Sequence, residues 1–340
     1  MMDCTDRHDR FFLRLMSKNV MLYTEMVATK SAIHGDRKKI LSYSPEEKPL
    51  ALQVGGSNKE ELAEVAKIAE GMGYDEININ LGCPSKKVQK NMFGACLMKE
   101  PDLVAECISA MVNSCKIPVT AKTRIGFDNE ERFEYLNNFI HKMRDAGTKT
   151  FILHARKAML TGLSPKQNLN IPKLNYNMVY EIKKQNPELE IIINGGISKI
   201  DEINKHLNIC DGAMIVRSIY KNTYSLVEIE KERLTKRIRA RIDYMLESGA
   251  IKEVAKVYKT CWDINLPFSK AIGAQDIISY LNNSISFAKL TQNIEFKTRQ
   301  FAKRQRTWHR NYMKNWASID PSKINTSGME EIVKKVKGSN

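Results

Sequence analysis

The chain has 340 residues, of which 42% are hydrophobic and 27% are charged. This length allows one large domain with a smaller second one, or a single large barrel. No apolar run is long enough for a membrane span, and the charged N-terminus predicts no secretory signal. The seven cysteines form no Cys-x-x-Cys pair, which argues against a disulfide framework or a zinc ribbon and favours a reducing, cytoplasmic location.

The net charge of +15 is concentrated in the last third of the chain. Residues 1–232 carry 33 Lys and Arg against 30 Asp and Glu, whereas residues 233–340 carry 21 against 9. Such an asymmetry is typical of a basic segment with a nucleic-acid partner. A solvated basic helical surface would give the same pattern, so charge alone does not separate these two interpretations.

Residues 1–230 alternate short apolar runs, typical of buried parallel strands, with amphipathic segments typical of helices. Strands are predicted at Met21–Glu25, Leu50–Val54, Glu76–Asn80, Val119–Lys122, Phe151–His154, Ile191–Asn194 and Ala213–Val216. Helices are predicted at Asp9–Lys18, Lys59–Gly71, Asp102–Ser114, Glu130–Ala146 and Asn177–Lys184. Side-chain caps are expected from Ser57-Asn58 and from Asp128-Asn129, each directly before a predicted helix.

This alternation of strands and helices predicts an α/β fold of the TIM (β/α)8 barrel type. Seven strands are one too few, and the missing strand should precede the first helix, where only Met1–Thr5 remain. We therefore expect a truncated first strand. An open doubly wound sheet would accept seven strands, but Gly71-Met72-Gly73 follows a helix and lacks the third glycine of a dinucleotide-binding fingerprint.

The strand pattern ends near Arg233, and apolar residues then recur at helical spacing. We predict a barrel over residues 1–230, a small all-α domain over residues 231–317 and a polar tail over residues 318–340. The helical spacing runs through Leu234, Ile238, Ile242, Leu290, Ile294 and Phe301, and Phe301 is predicted to belong to the core.

Polar residues stand at the C-terminal ends of the predicted strands, where the reactive groups of a β/α barrel lie. They are Gln53, Asn80, Lys122, Arg124, His154, Arg156, Asn194 and Arg217. With the missing strand counted, Gly195-Gly196 follows strand seven and Arg217 follows strand eight, which is the usual phosphate site of a barrel. The glycines permit close backbone approach and the arginine can bind phosphate oxygens, although a simple turn would also explain the two glycines.

The segment Asn80-Leu81-Gly82-Cys83-Pro84 places a thiol in a rigid loop above a barrel strand. A cysteine held in this way can act as an acid or as a nucleophile. A buried structural thiol is the alternative. His154 is accompanied by Arg156 and Lys157, and these cations favour a ligand or substrate contact over a core histidine. An anionic partner is expected for Lys122, because a buried unpaired lysine is costly.

The segment from Lys297 to Arg310 holds six cations and no acid. Lysine and arginine neutralise phosphates, and an aromatic such as Trp308 can stack on a base. We predict an RNA or DNA contact here, with a solvated face as the alternative. No Gly-Lys pair, HExxH motif or cluster of His, Cys and carboxylates occurs, so neither a Walker phosphate loop nor a metal site is predicted.

Residues 1 to about 229 resemble the A-type bacterial tRNA-dihydrouridine synthases. The matching segments include MDCTDRH, GYDEININLGCPSKKVQKNMFGACLM, PVTAKTRIG, HARKAMLTGLSPKQN followed by PKLNY, INGGI and DGAMIVRSIY. The resemblance implies an FMN-dependent β/α barrel that reduces a uridine in the tRNA D-loop, with NADPH as the electron donor.

The same resemblance implies roles for individual residues. Cys83 matches the proton donor, and Asn80 matches a position near the substrate base. The flavin-contacting positions are matched by Met1, Met2, Gln53, Lys122, His154, Asn194, Gly195, Gly196, Val216 and Arg217, with Val216 standing where a glycine is expected. Contacts with tRNA near the barrel mouth are expected from Arg156, Lys157 and Lys166.

Residues from about 233 to 317 resemble the C-terminal part of tRNA dimethylallyltransferases, through RIRARIDYMLESGAIKEV, LPFSKAIGAQDIISYL and TRQFAKRQRTWHRN. This second resemblance implies tRNA contacts by Lys270, Lys303, Arg304, Arg306, Trp308 and Arg310. Two alternatives to a synthase remain: a dimethylallyltransferase remnant without its catalytic half, and a non-catalytic tRNA-binding fusion product. We expect a monomer in the cytoplasm, with no metal and no membrane partner.

Overall fold

The computed structural model describes residues 4–312, without the side chains of Pro267, Arg306 and residues 309–312. The chain divides into two compact units, one ending at Glu230 and the other starting at Lys231. The predicted first strand lies mostly outside the described residues, and Cys4 and Thr5 lie in a turn. The predicted polar tail over residues 318–340 also lies outside them. None of the helices within residues 4–312 is both long and apolar enough to cross a bilayer.

The first unit is built on eight parallel strands, as expected for a TIM-type α/β barrel. The strands are β1 (Leu22–Tyr23), β2 (Val27–Ala28), β3 (Leu50–Gly55), β4 (Glu76–Leu81), β5 (Val119–Arg124), β6 (Thr150–His154), β7 (Glu190–Asn194) and β8 (Gly212–Met214). They pair in the order β1-β3-β4-β5-β6-β7-β8, and the short β2 also pairs with β3. The eighth strand is thus β2, which the sequence did not predict. Among the described residues, β8 pairs only with β7.

Ten helices connect and cover these strands within the described part of the first unit. They are α1 (Arg7–Met16), α2 (Thr29–His34), α3 (Arg37–Ile40), α4 (Lys59–Gly71), α5 (Lys86–Lys90), α6 (Pro101–Val112), α7 (Phe133–Asp145), α8 (Tyr176–Gln185), α9 (Ile200–Leu207) and α10 (Arg217–Lys221). The core lies between the helices and the sheet, where residues such as Leu52, Ile79 and Phe151 are fully buried. The predicted TIM-type fold is therefore confirmed.

Two predicted element boundaries in the first unit are wrong. The helix predicted from Glu130 begins at Phe133, because Phe127 and Glu130 pair backbone to backbone and Asp128 is held by the N–H of Leu160. Asp128 therefore has no role as a helix cap. The last strand ends at Met214 rather than Val216, because Val216 directly precedes α10.

The second unit is all-helical in its described part, as predicted. Its helices are α11 (Ser225–Glu247), which begins at the end of the first unit, α12 (Ala250–Thr260), α13 (Ala274–Leu281) and α14 (Phe287–Tyr312). The core of this unit is formed by Ile238, Ile242, Leu246, Ile277, Leu290 and Ile294. Phe301 was predicted to join them but is 43% exposed, because Ile294 is the last residue of α14 in that core.

Candidate active site

Parallel pairing aligns the polar strand ends along one edge of the sheet. Asn80 is in register with Lys122 on the next strand, and His154 is in register with Asn194. Since the carboxyl ends of all these strands point the same way, the predicted site residues on or directly after β3 to β7 gather at that edge. The register therefore brings together side chains that are far apart in the chain.

The loop after β4 holds Cys83 in a defined position. Asn80 Oδ1 accepts hydrogen bonds from the backbone N–H groups of Gly82 and Cys83, each at 3.0 Å. Asn80 Nδ2 donates to Gln53 Oε1 at 2.9 Å, which ties the loop to the neighbouring strand. The Cys83 carbonyl accepts from the N–H of Ala95 at 2.9 Å. The half-buried Cys83 thiol is thus carried by a backbone that is fixed on both sides.

Arg124 braces the same loop from β5. Its Nε donates to the Gly82 carbonyl at 3.1 Å, and its Nη1 donates to the Asn168 carbonyl at 3.2 Å. Burial lowers the pKa of Arg124 to about 10, while the neighbouring Cys83 raises it. The guanidinium therefore links the Cys83 loop to the long loop after β6. The sequence marked Arg124 as a strand end but assigned it no role.

Lys122 points into the site beside Asn194. Its Nζ donates to Asn194 Oδ1 at 3.2 Å, and the Asn194 amide donates to the Met214 carbonyl at 2.8 Å. Burial, assisted by the Arg124 charge and opposed by Cys83, lowers the pKa of Lys122 to about 8. A neutral amide oxygen does not offset the cost of burying an ammonium. An electron-rich ligand beside Lys122 would do so.

His154 faces a strongly cationic neighbourhood. Burial lowers the pKa of His154 far below its ordinary value, and the charges of Arg124, Lys122, Arg156 and Arg217 lower it further, so the imidazole is neutral at physiological pH. Its buried Nδ1 has no hydrogen-bond partner among the residues that the structure describes. A buried polar atom without a partner is costly, and a bound ligand at this position would satisfy it.

The two glycines after β7 adopt conformations that side chains rarely reach. Gly195 has a φ of 112° and Gly196 a φ of 72°. A Cβ at Gly196 would lie 2.7 Å from Leu174 Cδ1 and 3.1 Å from the Tyr176 hydroxyl oxygen. The Tyr176 hydroxyl donates to the Gly195 carbonyl at 2.6 Å. This close packing excludes larger residues and holds the turn in one orientation.

Two arginines tie the loop after β6 beside these glycines. Arg217 donates to Asn170 Oδ1 at 3.0 Å and to the Leu169 carbonyl at 3.3 Å. Arg156 donates to the Pro172 carbonyl, while its buried Nε has no hydrogen-bond partner in the described part of the chain. Burial lowers the pKa of Arg156, and the nearby Arg217 lowers it further. Two guanidiniums so close together favour an anion between or beside them.

The remaining predicted site residues are spread over both units. Val216 is half-buried directly before α10. Lys157 is half-buried and pairs with Glu131 at 3.1 Å, whereas Lys166 is exposed. Four of the residues that are predicted to contact tRNA in the second unit are exposed, namely Lys270, Lys303, Arg304 and Trp308. Met1 and Met2 lie outside the described residues, as do the side chains of Arg306 and Arg310.

The parallel barrel, with its fixed thiol and its cationic, glycine-containing ligand site at the carboxyl edge, defines an enzyme of the β/α-barrel class. Residues 1–314 match the dihydrouridine synthase family, and the chain belongs to that family.

Proteins of known name resemble the chain over its first two-thirds. The tRNA-dihydrouridine(20/20a) synthase of Synechocystis sp. is 50% identical over 232 residues, which is 68% of this chain and 70% of that protein. The synthases of the same name from Shewanella oneidensis and Escherichia coli K12 are 53% and 52% identical, over 68% of this chain in both cases and over 69% and 67% of their own lengths.

One solved structure, the histamine dehydrogenase of Rhizobium sp. 4-9, is 12% identical with a TM-score of 0.48 over 68% of this chain and 44% of its own. The family match runs to residue 314 and so includes α11 to α14. The comparisons do not support the predicted resemblance of this region to tRNA dimethylallyltransferases.

Proposed function

We propose that the chain is a tRNA-dihydrouridine synthase that uses FMN and NADPH to reduce a uridine of the tRNA D-loop to 5,6-dihydrouridine. Its family and the names of relatives that are about half identical support this activity. The observation that carries the proposal is the shared location of a fixed Cys83 thiol and a cationic ligand site. The Cys83 loop adjoins these cations, because Asn80 is in register with Lys122 and Arg124 Nε donates to the Gly82 carbonyl at 3.1 Å.

The residues present fit an FMN molecule. Lys122 and the unpartnered His154 Nδ1 offer contacts to a polar heterocycle, with Gln53 and Asn194 beside them. Gly195, Gly196 and Arg217 offer a close backbone approach and a cation for the phosphate. Val216 precedes this phosphate position, and Met1 and Met2 are proposed to lie beside the flavin. When bound, the flavin supplies the hydride that reduces the uracil ring.

Cys83 is proposed to donate the proton in this reduction. The uracil C5=C6 bond becomes a single bond when C6 receives a hydride and C5 receives the thiol proton, so electrons and protons balance. A proton donor must lie within hydrogen-bond reach of its target, and the bonds from Asn80 and Ala95 hold the Cys83 backbone for this purpose. The uridine must leave the base stack to reach the site.

Substrate tRNA is proposed to contact both units. Arg156, Lys157 and Lys166 belong to the loop after β6, near the mouth of the site. In the helical unit, Lys270, Lys303, Arg304, Arg306, Trp308 and Arg310 supply cations and an aromatic ring for phosphates and bases. We propose residues 1–230 as the catalytic barrel and residues 231–317 as the RNA-binding unit. All seven cysteines are free thiols, which supports a reducing cytoplasmic setting, and a monomer is proposed.

Purification of the full chain followed by a visible spectrum and an assay tests this function. The expected result is a yellow protein that forms dihydrouridine in unmodified tRNA when NADPH is added, measured by mass spectrometry of the digested nucleosides. A colourless protein that forms no dihydrouridine even after FMN is supplied would contradict the proposal. The same protein binding tRNA without reducing it would favour a non-catalytic tRNA-binding role.

A further inference from the structure

The helical unit contains a cationic groove between α11 and α14 whose residues have no assigned role. A cavity of about 370 Å³ is lined by Arg239 of α11 and by Lys289, Gln292, Asn293, Glu295, Phe296 and Arg299 of α14. We call this feature the α11/α14 groove. It contains three cations and one acid, so its net charge is positive.

Ion pairs and a hydrogen bond orient the cationic side chains that line the groove. The Glu295 carboxylate, whose side chain is 13% exposed, accepts from Arg239 Nε at 2.8 Å and pairs with Arg299 Nη1 at 3.6 Å. Lys289 Nζ donates to Gln292 Oε1 at 3.1 Å. One carboxylate therefore orients two guanidiniums and neutralises only one of their charges. An oriented guanidinium is well suited to a phosphate.

An aromatic ring lies exposed in the middle of this charged surface. Phe296 is 54% exposed, whereas Leu290 and Ile294 of the same helix are 0% and 2% exposed and form the core. Residues three, four and seven apart share one helix face, so Lys289, Phe296 and Lys303 form a single outward stripe. Steps of seven residues place each lysine about 10 Å along the helix from Phe296.

A ring flanked by cations matches the chemistry of a single nucleic-acid strand. Phosphates bind to lysine and arginine, and unpaired bases stack on aromatic side chains with little sequence preference. A paired duplex hides the faces of its bases, so the ring favours an unpaired segment.

We propose that the α11/α14 groove, together with Lys303 seven residues beyond Phe296 on α14, binds an unpaired segment of RNA, with phosphates on Arg239, Lys289 and Lys303 and one base stacked on Phe296. This inference deepens the proposed function, on which the choice of RNA rests. It adds a contact surface on the α11 side of α14, starting two turns before the cationic segment that begins at Lys297.

The test measures binding of a fluorescein-labelled twelve-nucleotide oligouridylate to the full chain by anisotropy at several salt concentrations. Phe296→Ala is expected to weaken binding at least about fivefold, because stacking is lost. Lys289→Gln is expected to weaken binding and to lower the slope of log K against log salt by about 0.7, since one phosphate contact disappears. Circular dichroism of each variant checks that helix content is unchanged.

Matched controls come from the same unit. Phe301 lies on α14 and is 43% exposed, but it lies outside the residues that line the groove. Lys252 is an exposed cation of α12. Phe301→Ala and Lys252→Gln should leave oligouridylate binding within twofold of the unmodified chain, and a duplex RNA of equal length should bind without dependence on Phe296.

Three results would contradict RNA binding by the groove. They are an unchanged oligouridylate affinity of Phe296→Ala, equal losses of affinity in Phe296→Ala and Phe301→Ala, and a loss in Phe296→Ala that affects duplex RNA only. Dihydrouridine formation is measured separately on the same preparations. A chain that forms dihydrouridine while its groove variants bind normally refutes the groove and keeps the proposed function. A chain that forms no dihydrouridine, but whose RNA binding is weakened by Phe296→Ala, refutes the proposed function and keeps the groove.

Discussion

Lys122 is the residue whose environment most constrains the ligand. Its pKa is lowered to about 8 by burial and by Arg124, while its one hydrogen-bond acceptor within the described residues is the Asn194 amide. A charge that is costly in the free protein becomes favourable when a ligand supplies an electron-rich acceptor. Binding of that ligand is therefore linked to the protonation of Lys122.

This linkage predicts a pH-dependent flavin affinity. Below pH 8 the free protein already carries the Lys122 ammonium, so affinity should be constant. Above pH 8 the free amine is neutral and must take up a proton on binding, so affinity should fall by up to about tenfold per pH unit. Fluorescence titration of FMN between pH 6.5 and 9.5 measures this. Lys122→Met should bind FMN weakly with no such slope, and a flat profile for the unmodified chain would contradict the role of Lys122.

Tyr176 is predicted to position the glycine turn without touching the reacting atoms. Its hydroxyl holds the Gly195 carbonyl at 2.6 Å, and one such hydrogen bond contributes about 1 kcal/mol. Tyr176→Phe should therefore raise the FMN dissociation constant about 3- to 10-fold, measured by fluorescence titration. Tyr180→Phe is the matched control, because its hydroxyl bonds His206 at 2.8 Å instead of the turn. An equal rise of the FMN dissociation constant in the two variants would show that the Tyr176 hydroxyl has a merely structural role.

Local sequence patterns marked the polar residues near the strand ends and the loop that carries Cys83. Gln53, Lys122 and Asn194 follow apolar runs, and that local pattern is sufficient to mark them. The brace from Arg124 to Asn168 and the bond from Tyr176 to Gly195 join residues 44 and 19 positions apart. No periodicity encodes such contacts between separate loops, so their roles became visible only in the structure.

At the scale of elements, the cap of α4 predicts a measurable contribution to stability. Asn58 Oδ1 accepts from the N–H of Glu61 at 2.8 Å, which satisfies one of the free N–H groups of the first turn. Asn58→Ala should lower the free energy of unfolding by about 1 kcal/mol, measured by urea denaturation. Asn129 was predicted to help cap the helix expected from Glu130, yet that helix, α7, begins only at Phe133. Asn129→Ala should therefore cost less than 0.5 kcal/mol, and a larger loss would contradict the observed helix start.

The two cap predictions differ for a physical reason. The Asn58 side chain accepts its hydrogen bond from the helix that directly follows it, so local sequence determines this bond. Asp128 is instead bonded by the N–H of Leu160 at 2.8 Å and paired with Lys99 at 3.3 Å, and these partners come from other loops. The prediction that Phe301 belongs to the core failed for a similar reason. Helical spacing of apolar residues continues along α14 beyond Ile294, but the core of the second unit ends there.

At the scale of the whole molecule, the cations of the two units lie in different settings. In the barrel, Lys122, Arg124, Arg156 and Arg217 all lower the pKa of His154, so these cations cluster around that side chain. In the helical unit, the cations at Lys289 and Lys303 are exposed. The sequence located the basic excess in residues 233–340, but composition alone did not distinguish a nucleic-acid contact from a solvated basic surface.

The proposed function requires that this chain reduce tRNA uridine with a proton from Cys83. The most direct test is dihydrouridine formation by Cys83→Ala, with NADPH and unmodified tRNA, on protein whose flavin content is measured first. Cys96→Ala is the control, since this nearby thiol donates to the Phe93 carbonyl and has no proposed catalytic role.

We predict that Cys83→Ala retains its flavin and loses at least about 100-fold in turnover, while Cys96→Ala remains active. Full turnover by Cys83→Ala, or no dihydrouridine from the flavin-loaded unmodified chain, would contradict the account.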